Sequence, residues 1–517
     1  MNKTWVLVAA ILGSSMSFID GSAVNVALPV IQRELGATST QMQWVIEAYA
    51  LFLSALILVG GSLGDLFGRR KCFVIGIAIF ALASIACAAA PTIIVLIIAR
   101  SVQGIGGALA VPESLALISV TFTGDDRGKA IGTWSGFASL TGAAGPVIGG
   151  YLAQTASWRW VFLINVPLAV VVLAIAILRV PESRDDDASR TIDWTGALLA
   201  TAGLGALVYG LISSQLPDGR TEGTAFAIAG LVVLALFVLA EKRAKDPMMP
   251  LTMFRSRVFR IANLYTAALY LALGGALYFF PYVLIDVQGY PPTAAGATFL
   301  PFVLLQFAFS RWSGGIYHHW GARIPLVLGA TLAGCAFVLY SLPGVGSGNY
   351  WTTYFPAVLT LGIGAVFFIA PLTTVVFDSS DRELSGVASG INNAVARTAG
   401  LLAIALFGII FTAIFSGGFD RRLGEAHVSV QARQLAMSEE ARFAGGTVPA
   451  DVPAADRPAL TEAVKEGYLA GFRGVQYASA AISFLAALVA FFFLPGRAEG
   501  REEAKAHLTS SPGTGAP

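Results

Sequence analysis

The sequence predicts an all-α membrane protein: two six-helix bundles with two further spans inserted between them. Three observations carry this. Of the 517 residues, 56% are apolar and only 12% charged, where a soluble chain carries about 25% charged residues. Apolar runs of about 20 residues, enough to cross a bilayer, recur along the chain. The short loops between them alternate between basic and nearly uncharged. The many glycines suit helices that approach closely in lipid.

About fourteen spans are read, at 5–29, 43–63, 72–90, 92–119, 130–153, 160–179, 194–214, 224–241, 259–284, 293–315, 324–342, 352–376, 385–415 and 468–494. The first, interrupted by Asp20, is too long for a signal-peptide core and has no convincing cleavage site. The second and third are parted by the turn GSLGDLFGRRK, Gly61 to Lys71. The fifth is diluted by glycine yet too apolar for a loop. Spans seven and eight are set aside as an insertion, leaving six on either side.

Orientation follows from the loop cations. One set of loops holds Arg69, Arg70 and Lys71; Arg127 and Lys129; Arg179, Arg184 and Arg190; Lys242, Arg243, Lys245, Arg255 and Arg257; and Arg323. The other set has Arg33, Arg159 and Arg220. The basic set is read as cytoplasmic, and an even span count puts both termini there. The expected division is 1–180 as the first bundle, 181–250 as the inserted pair with its linkers, 251–496 as the second bundle with an external loop at 417–467, and 497–517 as a disordered tail. Within that loop, 425–443 is expected to form a surface helix. A loose internal echo supports the duplication: Gly61, Asp65, Gly68 and Arg69 return as Gly314, His318, Gly321 and, one position late, Arg323.

Other function classes find no support. Cys72, Cys87 and Cys335 have no metal or redox spacing, and the four histidines form no ligand set. There is no GxxxxGK[ST] loop and no nucleophile–base set. No cofactor, metal, nucleic-acid partner or enzymatic activity is expected. The expected partners are a small lipophilic substrate, protons and membrane lipid, with the chain a monomer in the cell (plasma or inner) membrane.

The Gly61–Lys71 turn places Asp65, Arg69, Arg70 and Lys71 between two spans, where charges can pair in one conformation and separate in another. Its spacing resembles the signature of the major facilitator superfamily. Five further stretches, in the expected order, resemble that superfamily's fourteen-span drug:proton antiporter branch: FIDGSAVNVALP from Phe18, LIIARSVQGIGGA from Leu96, GAAGPVIGG from Gly142, WRWVFLINVP from Trp158 and GVASGINNAVARTAG from Gly386. The resemblance covers nearly all of the chain except 417–467 and the tail. It implies that Gly61, Asp65, Gly68, Arg69 and Arg70 form a latch between the halves when the cavity faces outward. It also implies that Gly142, Gly145, Pro146, Gly149 and Gly150 form the antiporter seam. Glycines there let a neighbouring helix approach, and Pro146 breaks the backbone ladder. His318 in place of an acid puts a symmetrical second latch in doubt.

A carboxylate inside a span is expensive and usually functional. Burial favours its protonated form and a nearby cation its ionised form, so Asp20 held between the two can carry a proton. Asp20 lies nine residues before Pro29, and Arg100 eight after Thr92. At about 1.5 Å per residue both lie roughly 12–14 Å from the same boundary, so the two are expected to meet. Gln103 and Asn25 extend the polar path or pack helices. Glu47, Glu113 and Asp286 are candidates for a cationic substrate or a second proton. For Glu47 and Asp286 a solvated interfacial carboxylate is the plainer reading. Asn392, Asn393 and Arg397 serve coupling or, more simply, interhelical bonding. Phe18, Trp134, Tyr270, Tyr278, Phe279 and Phe367 are candidate pocket aromatics.

The function expected from these residues and the resemblance is proton-driven export of lipophilic drugs or small molecules, cationic ones included, by alternating access. The alternatives are a proton-coupled nutrient symporter on the same fold and a transport-inactive membrane sensor.

Overall fold

The computed structural model describes residues 3–122, 125–184, 193–215, 219–245, 247–346, 348–379, 385–426, 428–438, 448 and 452–496. The main elements are helices: α1 (Lys3–Leu35), α2 (Ser39–Phe67), α3 (Arg69–Ala89), α4 (Ile93–Thr121), α5 (Asp125–Thr155), α6 (Arg159–Leu163 and Asn165–Arg179), α7 (Trp194–Ser213), α8 (Arg220–Arg243), α9 (Arg257–Tyr282, running into a wide turn at Val283–Val287), α10 (Pro292–Ala297 and Leu300–Trp320), α11 (Arg323–Ser341), α12 (Phe355–Asp378), α13 (Ser385–Glu425) and α14 (Arg457–Phe493). Thirteen of them are long and apolar enough to cross a bilayer among the described residues. The fourteenth, α5, has 31 residues. Charges in its first turns and glycines further on dilute its apolar character, but it lies along α1 within the bundle. The fourteen-span reading therefore rests on its length and packing.

Local chemistry sets several boundaries. Thr38 and Gln41 form a reciprocal capping box that starts α2. Thr92 caps α4. Gly68, at φ +113°, takes the left-handed turn between α2 and α3 that a side chain would strain. The break in α6 falls at Ile164, where Pro167 withholds the N–H that Leu163 would have received.

In the first half α4 packs on α2 and α3, and α1 on α4, α5 and α6. In the second, α9 packs on α13 and α14, and α12 on α10 and α11. The halves meet along two seams, α2 against α13 and α5 against α10. Helix α7 covers the α2/α13 seam, with Leu204, Val208 and Ile212 packed among Leu51, Ala55, Leu401 and Ala405. Helix α8 packs on α7 and is otherwise the most exposed span, with 11% of its apolar window buried.

An even number of crossings places Lys3 and Phe493 on one face, called here the terminal face. At the opposite face the predicted loop 417–467 is shorter than expected. Helix α13 runs on to Glu425 and α14 begins at Arg457. Phe415, Phe419 and Leu423 pack there with Leu460, Ala463 and Val464, so helix continues beyond the apolar run because the protruding turns cover one another. The expected surface helix appears at Val430–Ser438. Ser429 Oγ accepts from Ala432 N at its start, and Arg433 Nη2 donates to the Leu423 and Ala426 carbonyls at the end of α13. Asp456 accepts from Ser429 N at 3.0 Å and from its hydroxyl at 2.6 Å. The tail at 497–517 and most of 439–451 lie outside the described residues.

Candidate functional site

Asp20 and Arg100 meet. Both are fully buried, and Arg100 Nη1 donates to Asp20 Oδ2. Glycines set the approach of the flanking helices to α4: a Cβ on Gly104 would meet the Tyr49 carbonyl at 2.5 Å, and one on Gly106 the Phe80 nitrogen at 2.6 Å. Arg100 Nη1 also donates to Gln103 Oε1 at 2.6 Å, and its Nε to the Val45 carbonyl at 3.0 Å. Its guanidinium lies 4.2 Å from the centre of the Tyr49 ring, a cation–π contact out of water.

The other carboxylate oxygen, Asp20 Oδ1, accepts from Gln103 Nε2 at 2.9 Å and Asn165 Nδ2 at 3.2 Å. Both amides also reach Ser84 Oγ, at 2.9 Å and 3.4 Å. The Ser84 hydroxyl itself donates a hydrogen bond to the Phe80 carbonyl at 2.8 Å. Side chains from α1, α3, α4 and α6 thus converge on one carboxylate, and α2 contributes a carbonyl and an aromatic face. Sequence reasoning named Asp20, Arg100 and Gln103 but missed Ser84 and Asn165. The available signal for Asn165 was a polar residue inside an apolar span. Asn25 does not join the group: its Nδ2 donates to Gly21 O on its own helix. Trp134 Nε1 donates to Ser14 Oγ, which donates to Ser114 Oγ, and Trp134 meets Phe18 edge to face.

The Gly61–Lys71 turn sits at the terminal face. Arg69 donates to Asp65 Oδ1 from Nε and Nη2, at 2.9 and 2.6 Å. Arg70 Nη1 donates to the Val180 carbonyl at 3.2 Å, and Glu182 Oε1 accepts from Arg70 N at 3.0 Å. Beyond the Asp65–Arg69 pair, the described hydrogen bonds of this segment to other elements go to the α6–α7 linker. Its counterparts Gly314 and His318 lie outside the described side chains, and Arg323 Nε donates to Leu494 O. Glu113 is fully buried, packed against Gly64, with no hydrogen-bond partner for either carboxyl oxygen among the described residues.

The glycine run on α5 has two sides. Gly145 and Gly149 lie against Ile19, Ser22 and Ala23 of α1, with Gly142 nearest Phe18. Gly150 lies against the Pro292 backbone, and Pro146 against Gly296, across the halves. At the same face Gln154 Oε1 accepts from Thr293 N at 3.1 Å, and Arg33 pairs with Asp286 at 3.2 Å. The Asp286 side chain is 5% exposed, so the expectation of a solvated interfacial carboxylate is overturned. The extended α1 brings Arg33 over it, and the wide turn ending α9 tucks it inward. Glu47 is corrected likewise. It is fully buried, and α2 starts a turn earlier than the apolar run.

In the second half Asn392 Nδ2 donates to Thr266 Oγ1 at 2.7 Å and Asn263 Oδ1 at 3.2 Å, tying α13 to α9. Asn393 is exposed, and Arg397 Nε lacks a hydrogen-bond partner among the described residues. Tyr278 and Phe279 line a small cleft with Gln43, Phe411 and Tyr468. Phe367 instead stacks on Trp320.

Comparisons with known proteins show the family in which this buried ion pair sits. The chain is 32% identical over 496 residues, 95% of its length and 91% of the relative's, to the tetracenomycin C resistance and export protein of Streptomyces glaucescens. It is 35% identical over 431 residues, 82% of this chain and 79% of the relative, to the multidrug resistance protein Stp of Mycobacterium tuberculosis. Among solved structures, a bacterial homologue of the human lysosomal transporter Spinster superposes with a TM-score of 0.64 at 18% identity, covering 95% of this chain and 98% of that one. A D-xylose–proton symporter superposes at 0.59 with 14% identity, over 96% and 98%. These two show the shared fold. The family model for the Major Facilitator Superfamily matches residues 10–404, and with paired bundles, an inserted hairpin and relatives of this kind, the chain belongs to that superfamily.

Proposed function

We propose that this protein exports lipophilic small molecules from the cell by exchange for protons, with its terminal face in the cytoplasm of a cell-membrane-embedded monomer. The division into 1–180, 181–250 and 251–496 is the working division of that machine: two halves that rock, and a hairpin riding on the α2/α13 seam. The observation that carries the reading is the buried Asp20 carboxylate, held by Arg100, Gln103 and Asn165. All three donate hydrogen bonds to it. A proton arriving on Oδ2 would face the Arg100 N–H and displace it. Loading Asp20 therefore loosens the tie between α1 and α4, and proton occupancy biases the conformational equilibrium.

The relatives named as resistance and export proteins support outward transport, as does the glycine seam on α5. The closed contacts at Gly150–Pro292, Gln154–Thr293 and Arg33–Asp286 would part when the cavity opens outward, and the Asp65–Arg69 turn would then hold the terminal face shut. The test is flux in inverted membrane vesicles with an acidified lumen. Substrate accumulation driven by the proton gradient, lost in Asp20→Asn with normal membrane abundance, is expected. Accumulation only under the opposite gradient would make the protein a symporter, and activity indifferent to Asp20→Asn would remove the proton role.

A further inference from the structure

The inserted hairpin ends, at the face opposite the termini, in a polar contact that touches both halves at once. Gln215, just past α7, meets Gln43 of α2 as a reciprocal amide pair. Gln43 Nε2 donates to Gln215 Oε1 at 3.1 Å, and Gln215 Nε2 donates back to Gln43 Oε1 at 3.3 Å. The same Gln215 Nε2 reaches the Ala405 carbonyl of α13 and the Leu211 carbonyl of its own helix, each at 3.4 Å. Gly408 of α13 is the seat of the pair. A Cβ there would meet Gln215 Nε2 and Gln43 Nε2 at 2.7 Å each, and Gln215 Oε1 at 2.8 Å.

The first half, the hairpin and the second half thus share one small polar junction, with Gln43 itself buried. The rest of the hairpin holds the seam by apolar packing of α7 on Leu51 and Ala55 of α2 and on Leu401 and Ala405 of α13. In lipid such contacts exchange readily for acyl chains, which are as apolar as the helices. Amides differ. Pulled apart in a dry seam they lose their partners, and pulled apart as water enters they find new ones. A contact of this kind holds a closed seam shut and lets go reversibly.

Ring contacts tie the hairpin to α2. Trp44 of α2 lies 6.3 Å from Tyr209 of α7, and Tyr209 meets Phe226 of α8 edge to face at 4.8 Å. When α2 and α13 part at this face, the hairpin cannot follow both, and the Gln215 junction must break on one side. We propose that Gln215 is a gate residue carried by the inserted hairpin: it bolts this end of the α2/α13 seam by joining Gln43 to the α13 backbone, so the two additional spans set how readily the protein opens at the face opposite the termini. The inference rests on the rocking halves of the exporter reading and gives the hairpin a task within it. Glycine-to-backbone contacts close the α5/α10 seam, and a removable amide pair closes the other.

The test places nitroxide labels on exposed sites of the two halves at this face, Thr155→Cys on α5 and Thr352→Cys before α12, in a cysteine-free background. Pulsed electron-spin distances in proteoliposomes then give the ratio of open to closed protein, at a pH where the wild type shows both. Gln215→Ala should raise that ratio by roughly 2- to 10-fold, the net worth of a hydrogen bond. Gln43→Ala should act likewise, and the double variant should exceed the larger single by little, because either amide alone leaves the bolt undone. Gly408→Ala should open the seam from the α13 side and add little once Gln215 is alanine. A hairpin that only supports the fold would lower membrane abundance in these variants and leave the ratio unchanged. Gly150→Ala, on the other seam, is the control for movement itself. A raised ratio in Gly150→Ala with a wild-type ratio in Gln215→Ala, or single effects that multiply in the double variant, would overturn the bolt and leave the rocking halves standing. One distance at every pH in every variant would defeat both.

Discussion

Cutting Arg100 back to alanine is the most direct perturbation of the proposed proton site. It removes the donor to Asp20, the bonds to Gln103 and the Val45 carbonyl, and the guanidinium on the Tyr49 ring. What remains is a buried carboxylate served only by the Gln103 and Asn165 amides. Breaking a buried pair from one side destabilises by about 3–5 kcal/mol, mostly through the stranded charge. Asp20→Asn strands the opposite charge, but Arg100 keeps the Val45 carbonyl, Gln103 Oε1 and the ring, so about 1–3 kcal/mol is expected. The double variant Asp20→Asn with Arg100→Ala strands neither, and it should be less destabilised than the sum of the singles by about 1–3 kcal/mol. Reversible unfolding in mixed micelles supplies the cycle, and flux on the same preparations supplies the functional readout. Arg100→Ala and the double variant should both lose proton-driven transport. Strict additivity would refute the argument, since it would mean that the contact carries no coupling energy. So would a double variant with wild-type coupling.

Three further predictions concern the face that is closed here and the loop beyond it. In Gly150→Ala the new Cβ would lie 2.8 Å from the Pro292 carbonyl carbon and 3.2 Å from Thr293 Cα, both backbone. Overpacking of about 1–3 kcal/mol should shift the equilibrium toward opening at this face, read as faster labelling of a Gln154→Cys reporter in a cysteine-free background; unchanged labelling would remove the seam's role. Asp286→Asn should shift the same equilibrium in the same direction but less, because Arg33 is 46% exposed and such pairs are worth about 1 kcal/mol or less; a larger effect than Gly150→Ala would reverse the ranking. The Ser429 hydroxyl, and then its backbone N–H, hold Asp456 below the usual carboxylate range. A depressed acid stabilises the fold fully above its unfolded value of about 4 and loses that contribution as the pH falls through the lower folded value. Hydrogen-exchange protection of 429–438, corrected for intrinsic rates, should therefore drop as the pH is lowered from 6 to 3, and less so in Asp456→Asn; flat protection in the wild type would refute it.

The Asp20–Arg100 contact was legible because charges stand out in apolar spans, and their depths follow from counting residues to the nearest boundary. Ser84 and Asn165 were not legible. Neutral polar residues are common in spans, and which way they face depends on helix rotation. Hydropathy says little about rotation, since lipid tails and helix interiors are similarly apolar. Glu47 was read as interfacial because the apolar run began at 43, whereas α2 begins at Ser39. Those four residues, about 6 Å of helix, move it from the boundary into the interior. The same cause shortened the loop at 417–467: apolar composition marks the hydrocarbon, while helices continue wherever their protruding turns find each other. The residues of the Gly61–Lys71 segment were singled out by spacing, but the Glu182 carboxylate that accepts from Arg70 N lies more than 100 positions along the chain and follows no local rule.

The Asp20 site also shows which of its ligands can move. Gln103 and Asn165 are both held to Ser84 Oγ, and Ser84 is fixed to its own helix through the Phe80 carbonyl. Either amide would have to break two contacts to leave. Arg100 is different: when it leaves Asp20 it keeps acceptors at Gln103 Oε1 and the Val45 carbonyl, and its Nη2 has no hydrogen-bond partner among the described residues. In the proposed cycle the proton therefore takes the place of Arg100, and the guanidinium shifts toward α2. Helix α2 lines the α2/α13 seam. In that proposal a single side-chain rotation on α4 would connect proton loading to the helix that borders the second half.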